Sequence, residues 1–256
     1  MSDKSAIEWT QATWNPVTGC TRVSPGCDHC YALTFAERFR GVPGHPYEQG
    51  FDLKLWPERL ELPFKWKKPR RIFVNSMSDL FHQDVPDSFI LDVFRSMTLA
   101  NQHIYQVLTK RPSRLVNTGL TEKITQSIFD LTGSTSWPSH IWLGVSVETM
   151  QYAWRVDALR KVPVSTRFIS AEPLLGPLDT LCLNDIHWLI SGGESGPGHR
   201  YCDPSWVRTL RDRCQHDGVA FFHKQWGGRI PKAGGRLLDG RTWDEFPQTQ
   251  LAELVV

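Results

Sequence analysis

Gly19-Cys20-Thr21-Arg22-Val23-Ser24-Pro25-Gly26-Cys27-Asp28-His29-Cys30-Tyr31-Ala32 decides how the rest of the chain is read. It carries three of the six cysteines, Cys20, Cys27 and Cys30, with six residues inside the first pair and two inside the second. Pro25-Gly26 favours a turn, and a turn there can gather three thiolates about one point. Three thiolates on one short loop suit a soft metal ion or an iron–sulfur cluster. No equally dense second cysteine group follows, so a cluster bound here leaves one iron without a protein thiolate. A structural zinc site competes, because Cys-x2-Cys is a common zinc half-site. Its fourth ligand could be His29 or a distant histidine, although His29, between two of the cysteines, would be strained in that role. A disulfide fits less well, because three is odd and no signal sequence precedes the loop.

The next residues read as a helix, with Ala32, Phe35, Ala36 and Phe39 on one face. Cys30 is then expected at a helix start, where backbone amides favour negative charge. Ile7 to Thr10 is the expected first strand. Beyond the Gly- and Pro-rich stretch from Gly41 to Gly50, apolar strands alternate with helical periods. Strands are expected at Arg71–Val74, His103–Leu108, Ile141–Val145, Arg167–Ile169, His187–Ile190 and Val219–Phe222. Helices are expected at Pro86–Ala100, Ser113–Val116, Glu122–Leu131, Met150–Arg160 and Pro204–His216. Only Leu174–Asp185 lacks a helical period. Such alternation implies a parallel sheet with right-handed crossovers. A partial (β/α) barrel fits best, with a doubly wound open sheet as the alternative. In both, loops after the strands share one edge. That edge collects Asp79, Lys110, Arg111, Glu148, Glu172, Glu194, Lys224 and Gln225, together with the cysteine loop. Residues 1–228 are read as one barrel-like domain and 229–256 as a C-terminal extension. Asp239-Gly240 marks a hairpin in the extension, and disorder is expected after Pro247.

The 256 residues carry 29 basic and 27 acidic side chains, a net charge of +2. That balance argues against bulk affinity for nucleic acid. No apolar run approaches a membrane span, and the polar start is not a leader, so a cytoplasmic protein is expected. Hydrophobic residues make up 40%, enough for a substantial core.

The ordered motifs, from Trp14-Asn15-Pro16 through the three cysteines, resemble an uncharacterised family found in phages and bacteria. They continue through Ser76-Met77-Ser78-Asp79, Leu108-Thr109-Lys110-Arg111-Pro112, Gly144-Val145-Ser146-Val147-Glu148, Ser170-Ala171-Glu172-Pro173, Gly192-Gly193-Glu194-Ser195-Gly196 and Lys224-Gln225-Trp226-Gly227. That family is similar to the radical S-adenosylmethionine enzymes, which carry a three-cysteine loop before a partial barrel. Three departures stand out. The first cysteine spacing is six rather than three. His29 replaces the aromatic residue before the last cysteine. The Gly-Gly-Glu of the second strand is replaced by Ser76 to Asp79, and a Gly-Gly-Glu follows the sixth strand instead.

The resemblance implies a [4Fe-4S] cluster on Cys20, Cys27 and Cys30, with S-adenosylmethionine on the open iron. It implies one-electron cleavage of the sulfonium, an electron donor, and a 5′-deoxyadenosyl radical acting on an unknown substrate, a nucleotide or nucleic acid among the choices. Asp79 or Ser78 would receive the cofactor's amine, Lys110 its carboxylate, and Glu148 or Glu194 its ribose, with Ser76 also among the cofactor-binding residues. The Gly192-Gly193 turn would let backbone approach the ligand. Cys202 is a candidate hydrogen donor, whereas Cys182 and Cys214 read as core residues. The alternative is a zinc-stabilised nucleic-acid-binding protein without catalysis. Lys65-Trp66-Lys67-Lys68-Pro69-Arg70-Arg71 would contact phosphates, and Trp66 would stack on a base.

Overall fold

The structure, a computed structural model, describes residues 5–230 and 232–248. Seven strands lie side by side in one all-parallel sheet: β1 (Ala12–Trp14), β4 (Arg71–Val74), β5 (Ile104–Thr109), β6 (Ile141–Ser146), β7 (Thr166–Ala171), β8 (Trp188–Gly192) and β9 (Ala220–Gln225). Two short strands, β2 (Val17–Thr18) and β3 (Lys54–Leu55), pair antiparallel as a separate ribbon. Helices α3 (Asp87–Leu99), α5 (Leu120–Thr132), α6 (Trp154–Arg160) and α7 (Pro204–Asp217) lie on the crossovers. The shorter α1 (Tyr31–Glu37), α2 (Leu62–Lys65) and α4 (Ser113–Asn117) complete the set. The connection from β7 to β8 contains no helix, as expected.

Each strand alternates its side chains between two faces. Ile72, Val74, Leu143, Val145, Ile169, Leu189 and Phe221 face outward into a core shared with the helices. Phe73, Ile104, Trp142, Phe168, Trp188 and Phe222 face inward and form a second, separate cluster. Trp9 belongs to that inner cluster. Its ring lies 4.5 Å from Phe73 on β4 and 6.0 Å from Trp188 on β8. A residue beside the first strand therefore touches the sixth, which a flat sheet could not allow. The sheet curls into a half-barrel. Gly144 is part of the reason the inner face packs. A side-chain carbon there would fall 2.4 Å from the Phe168 ring.

The first strand starts five residues later than expected, at Ala12. Ile7–Thr10 is a turn, and it delivers Trp9 to the barrel floor. The cysteine loop does follow the first strand. On the far flank, residues 243–245 run antiparallel beside β9: His223 N–H donates to Trp243 O at 2.9 Å, and Phe222 bridges Asp244. The Asp239-Gly240 hairpin forms, with Leu238 and Arg241 exchanging backbone hydrogen bonds and both turn residues at positive φ (53° and 82°). The disorder expected after Pro247 concerns residues 249–256, which lie outside the described residues. No helix among the described residues is long and apolar enough to cross a membrane.

Candidate active site at the open end of the half-barrel

Above the aromatic floor the inward positions turn polar. Asn75, Lys110, Ser146, Ser170, Glu172 and Lys224 line a cavity of about 770 Å³. Its apolar walls are Trp9, Phe73 and Leu108, and Cys20, Cys27 and Cys30 line the same space. The volume lies within the range of small-molecule sites.

The cysteine loop is strapped to the barrel at several points. At its start Gly19 bridges Ser78, and Gly19 N–H donates to Met77 O at 3.0 Å. Gly19 has φ 83°, and a side-chain carbon there would fall 2.2 Å from Asp52 O. Arg111 donates to Thr21 O at 2.9 Å and Thr21 Oγ1 at 2.7 Å, and His82 Nε2 lies 2.8 Å from the same hydroxyl. Ser24 Oγ donates to Glu148 Oε1 at 2.6 Å. At the far end His29 Nδ1 meets Glu194 Oε2 at 2.8 Å, and Arg200 donates to Pro25 O at 2.8 Å. Cys30 then occupies the residue position that caps α1, as expected.

Both glutamates expected at the ribose make polar contacts with the cysteine loop, and Glu194 also lines the cavity. Glu148 is fully buried, and beyond Ser24 it pairs with Lys110 at 3.3 Å and Arg155 at 2.9 Å. Burial alone would raise its pKa, but those cations and the serine hydroxyl hold the carboxyl below its ordinary value. Gly26 permits the contact, because a side-chain carbon there would lie 2.4 Å from the Glu148 carboxylate. Glu194 receives His29 and three N–H groups of Arg200, including its backbone amide at 3.0 Å. Both carboxylates therefore sit where they position the loop.

The two departures at His29 and at the displaced Gly-Gly-Glu turn out to be one feature, since His29 and Glu194 are partners. The glycines there serve packing. A side-chain carbon at Gly192 would strike Glu172 Oε1 at 2.4 Å, and one at Gly193 would strike Trp226 O at 2.0 Å.

The Ser76 to Asp79 turn is likewise built from inside. Asp79 accepts from Thr109 Oγ1 at 2.8 Å, Lys110 N–H at 3.0 Å and Phe81 N–H at 3.0 Å. Ser78 donates to Val17 O at 2.8 Å. Ser76 Oγ lies 3.2 Å from the Asn15 carboxamide, and Ser76 O accepts from Tyr31 Oη at 2.5 Å. All three still line the cavity. Glu172 and Lys224 form a pair at 3.2 Å within it. The sequence placed them on the right edge but gave them no role. Period-two alternation along β7 and β9 was the signal for their inward aim.

Two cysteine readings are corrected. Cys202 does not face the cavity; it is buried in the outer core, where desolvation pushes its thiol up to about 12. Cys182 is exposed rather than packed, whereas Cys214 is buried as expected. The basic run enters β4 from the closed end of the barrel, opposite the cysteine loop. Trp66 packs against the outer core and the edge of His103, and Arg70 covers its ring at 5.6 Å.

Among the described residues no three His, Cys, Asp or Glu side chains stand at metal-holding separation. The donor set nonetheless fits a thiolate-held cluster in kind: three thiols, one strapped loop, one cavity wall. Burial beside Asp79 pushes the Cys20 thiol up to about 12, with Arg111 acting against that shift.

The sequence pattern of a family described as proteins of unknown function, DUF5131, matches residues 4–247. The chain belongs to the DUF5131 family. No curated protein matches it. Among solved structures, a cysteine variant of spore photoproduct lyase, a radical S-adenosylmethionine enzyme, superposes with a TM-score of 0.50 at 14% identity. That match covers 82% of this chain and 62% of the lyase. Another variant of the lyase, with bound AdoMet and dinucleoside spore photoproduct, gives 0.45 at 12% identity, over 78% and 60%. The DUF5131 chain thus spans about three-fifths of the lyase's length. The likeness is one of fold: seven parallel strands curled into a half-barrel that matches the partial barrel of the lyase.

Proposed function

We propose that this protein is a radical S-adenosylmethionine enzyme whose Cys20, Cys27 and Cys30 hold a [4Fe-4S] cluster, with S-adenosylmethionine as its second cofactor. The observation that carries the reading is the placement of the three cysteines. They line, from one strapped loop, the cavity at the open end of a half-barrel of this fold. A cluster held by Cys20, Cys27 and Cys30, together with S-adenosylmethionine, would supply radical chemistry begun by one-electron cleavage of the sulfonium, with the electron from a separate donor.

The chain's own residues do the positioning. Glu148 and Glu194 fix the loop through Ser24 and His29, which holds the three cysteines at the cavity wall. Lys110 keeps a cationic head, 19% exposed, for an anionic group such as the cofactor's carboxylate. Asp79 and Ser78 present oxygens at the wall for its amine. Trp9, Phe73 and Leu108 exclude water beneath, which protects a reactive intermediate. The substrate class fits a nucleotide or nucleic acid.

Protein prepared without oxygen and reconstituted with iron and sulfide should be brown, with about four irons per chain and absorbance near 400 nm. With a reductant it should consume S-adenosylmethionine and release 5′-deoxyadenosine. A colourless protein carrying one zinc ion overturns the proposal.

A further inference from the structure

Asn75 differs from the polar residues around it in the cavity wall in that both of its side-chain polar atoms lack a hydrogen-bond partner. It follows β4 directly, is 2% exposed, and lines the cavity wall. Neither its Nδ2 nor its Oδ1 has a hydrogen-bond partner. Its neighbours do not share this condition, since Asp79, Ser78, Ser76, Lys110, Glu172 and Lys224 are all paired. Buried amide groups are nearly always bonded, because an unpaired one forfeits its water without replacement. Asn75 also has φ 61°, a conformation glycine adopts more cheaply. Asparagine is tolerated there chiefly when its side chain bonds locally, and this one does not. The carboxamide is therefore held, buried and unpaired, in the wall of the cavity.

A carboxamide offers one donor and one acceptor side by side. Its complement is an edge with the same pair reversed, and every nucleobase presents one. The wall beside it suits such a ring. Phe73, the inward residue of β4 two positions before Asn75, lines the same cavity. Leu108 from the neighbouring strand and Trp9 extend an apolar surface next to it. A flat heterocycle laid on that surface turns its edge to Asn75.

We propose that Asn75 is a specificity residue that pairs with the edge of a nucleobase lodged against Phe73 and Leu108. The inference rests on reading this cavity as the active site, though not on the cluster. One chemistry has two sources here: the adenine of S-adenosylmethionine, or the base of a separate substrate.

The test is calorimetric titration of anaerobically prepared full-length protein, with iron measured on the same sample. Adenosine and S-adenosylhomocysteine form one arm; thymidine, cytidine and guanosine form the other. Wild-type protein should bind on at least one arm. Asn75→Gly, which accepts φ 61° without strain, should weaken that arm about tenfold or more while the melting temperature moves little. Asn75→Asp, which keeps the shape but replaces the donor with an acceptor, should weaken it as well. A loss confined to the adenine compounds assigns the cofactor's base to Asn75, and a loss on the other arm assigns the substrate's. Absence of any nucleoside binding at about millimolar concentration, or unchanged binding by both variants, overturns the proposal. Asn75-dependent binding by protein that assembles no cluster would sink the radical reading and spare this one. A working cluster with binding indifferent to Asn75 would do the reverse.

Discussion

The same strands build two different interiors. In the lower half of the barrel the inward side chains are Trp142, Phe168, Trp188 and Phe222, sealed by Trp9. Toward the C-terminal ends of the strands and just beyond them they are Asn75, Lys110, Ser146, Ser170, Glu172 and Lys224, around an open cavity. The residue type changes from aromatic to polar along the same inner face. The lower layer holds the sheet in its curve, and the upper one is left free to be polar because the curve is already fixed.

Substitutions can break that division or sharpen it. The largest expected effect belongs to the rim and is one of function. Cys20→Ala, Cys27→Ala or Cys30→Ala should each reduce reconstituted iron from about four per chain to background, with the folded state retained by circular dichroism. The floor should answer oppositely. Trp188→Ala removes a ring in contact with Trp9, Trp142, Phe168 and Phe222, and should cost about 3–5 kcal/mol in urea unfolding. If it empties the cysteine site without loss of stability, the division fails.

Acid should likewise attack packed regions before the rim. His223 is fully buried, and desolvation lowers its pKa to about 4 from 6.5. Between those values the unfolded chain binds a proton that the folded chain refuses. The stabilisation is therefore complete above about pH 6.5 and lost as pH falls toward 4, on the order of 3 kcal/mol. His82, His103 and His140 are shifted downward for the same reason and add to the slope. Urea midpoints measured from pH 7 to 4 should fall, and fall less in His223→Asn. The smallest expected stability effect is at the rim again. Glu172→Gln, 13% exposed in its pair with Lys224, should change stability by about 1 kcal/mol or less while lowering turnover. A large loss of stability there would mean that the pair belongs to the scaffold.

Much of this was legible in the chain. The parallel order, the helix-free connection after β7 and the shared edge followed from period and composition, because strands buried on both faces read as apolar runs. Ile7–Thr10 misled because Trp9 is apolar for the sake of the barrel floor, a contact with Trp188 that no local pattern reveals. Glu148 and Glu194 are legible as site-edge acids, but their contacts are not. Their partners Ser24, Arg155, His29 and Arg200 come from distant segments, and a carboxylate's role depends on who reaches it first. Cys202 was drawn to the cavity by its closeness to a glycine-rich loop, yet it turns into the outer core. Asn75 was passed over because an asparagine at a strand end looks like an ordinary turn residue. Only its two unpaired atoms distinguish it.

A barrel that stops short of closure keeps two flanks whose backbone groups could recruit a foreign strand. The flank at β1 is only three residues long. That at β9 is twice the length, and the stretch 243–245 lies across it, with His223 N–H already spoken for. Removing that stretch would bare a ribbon containing Phe221 and Phe222, so this short antiparallel return also guards the molecule against fibrous self-association.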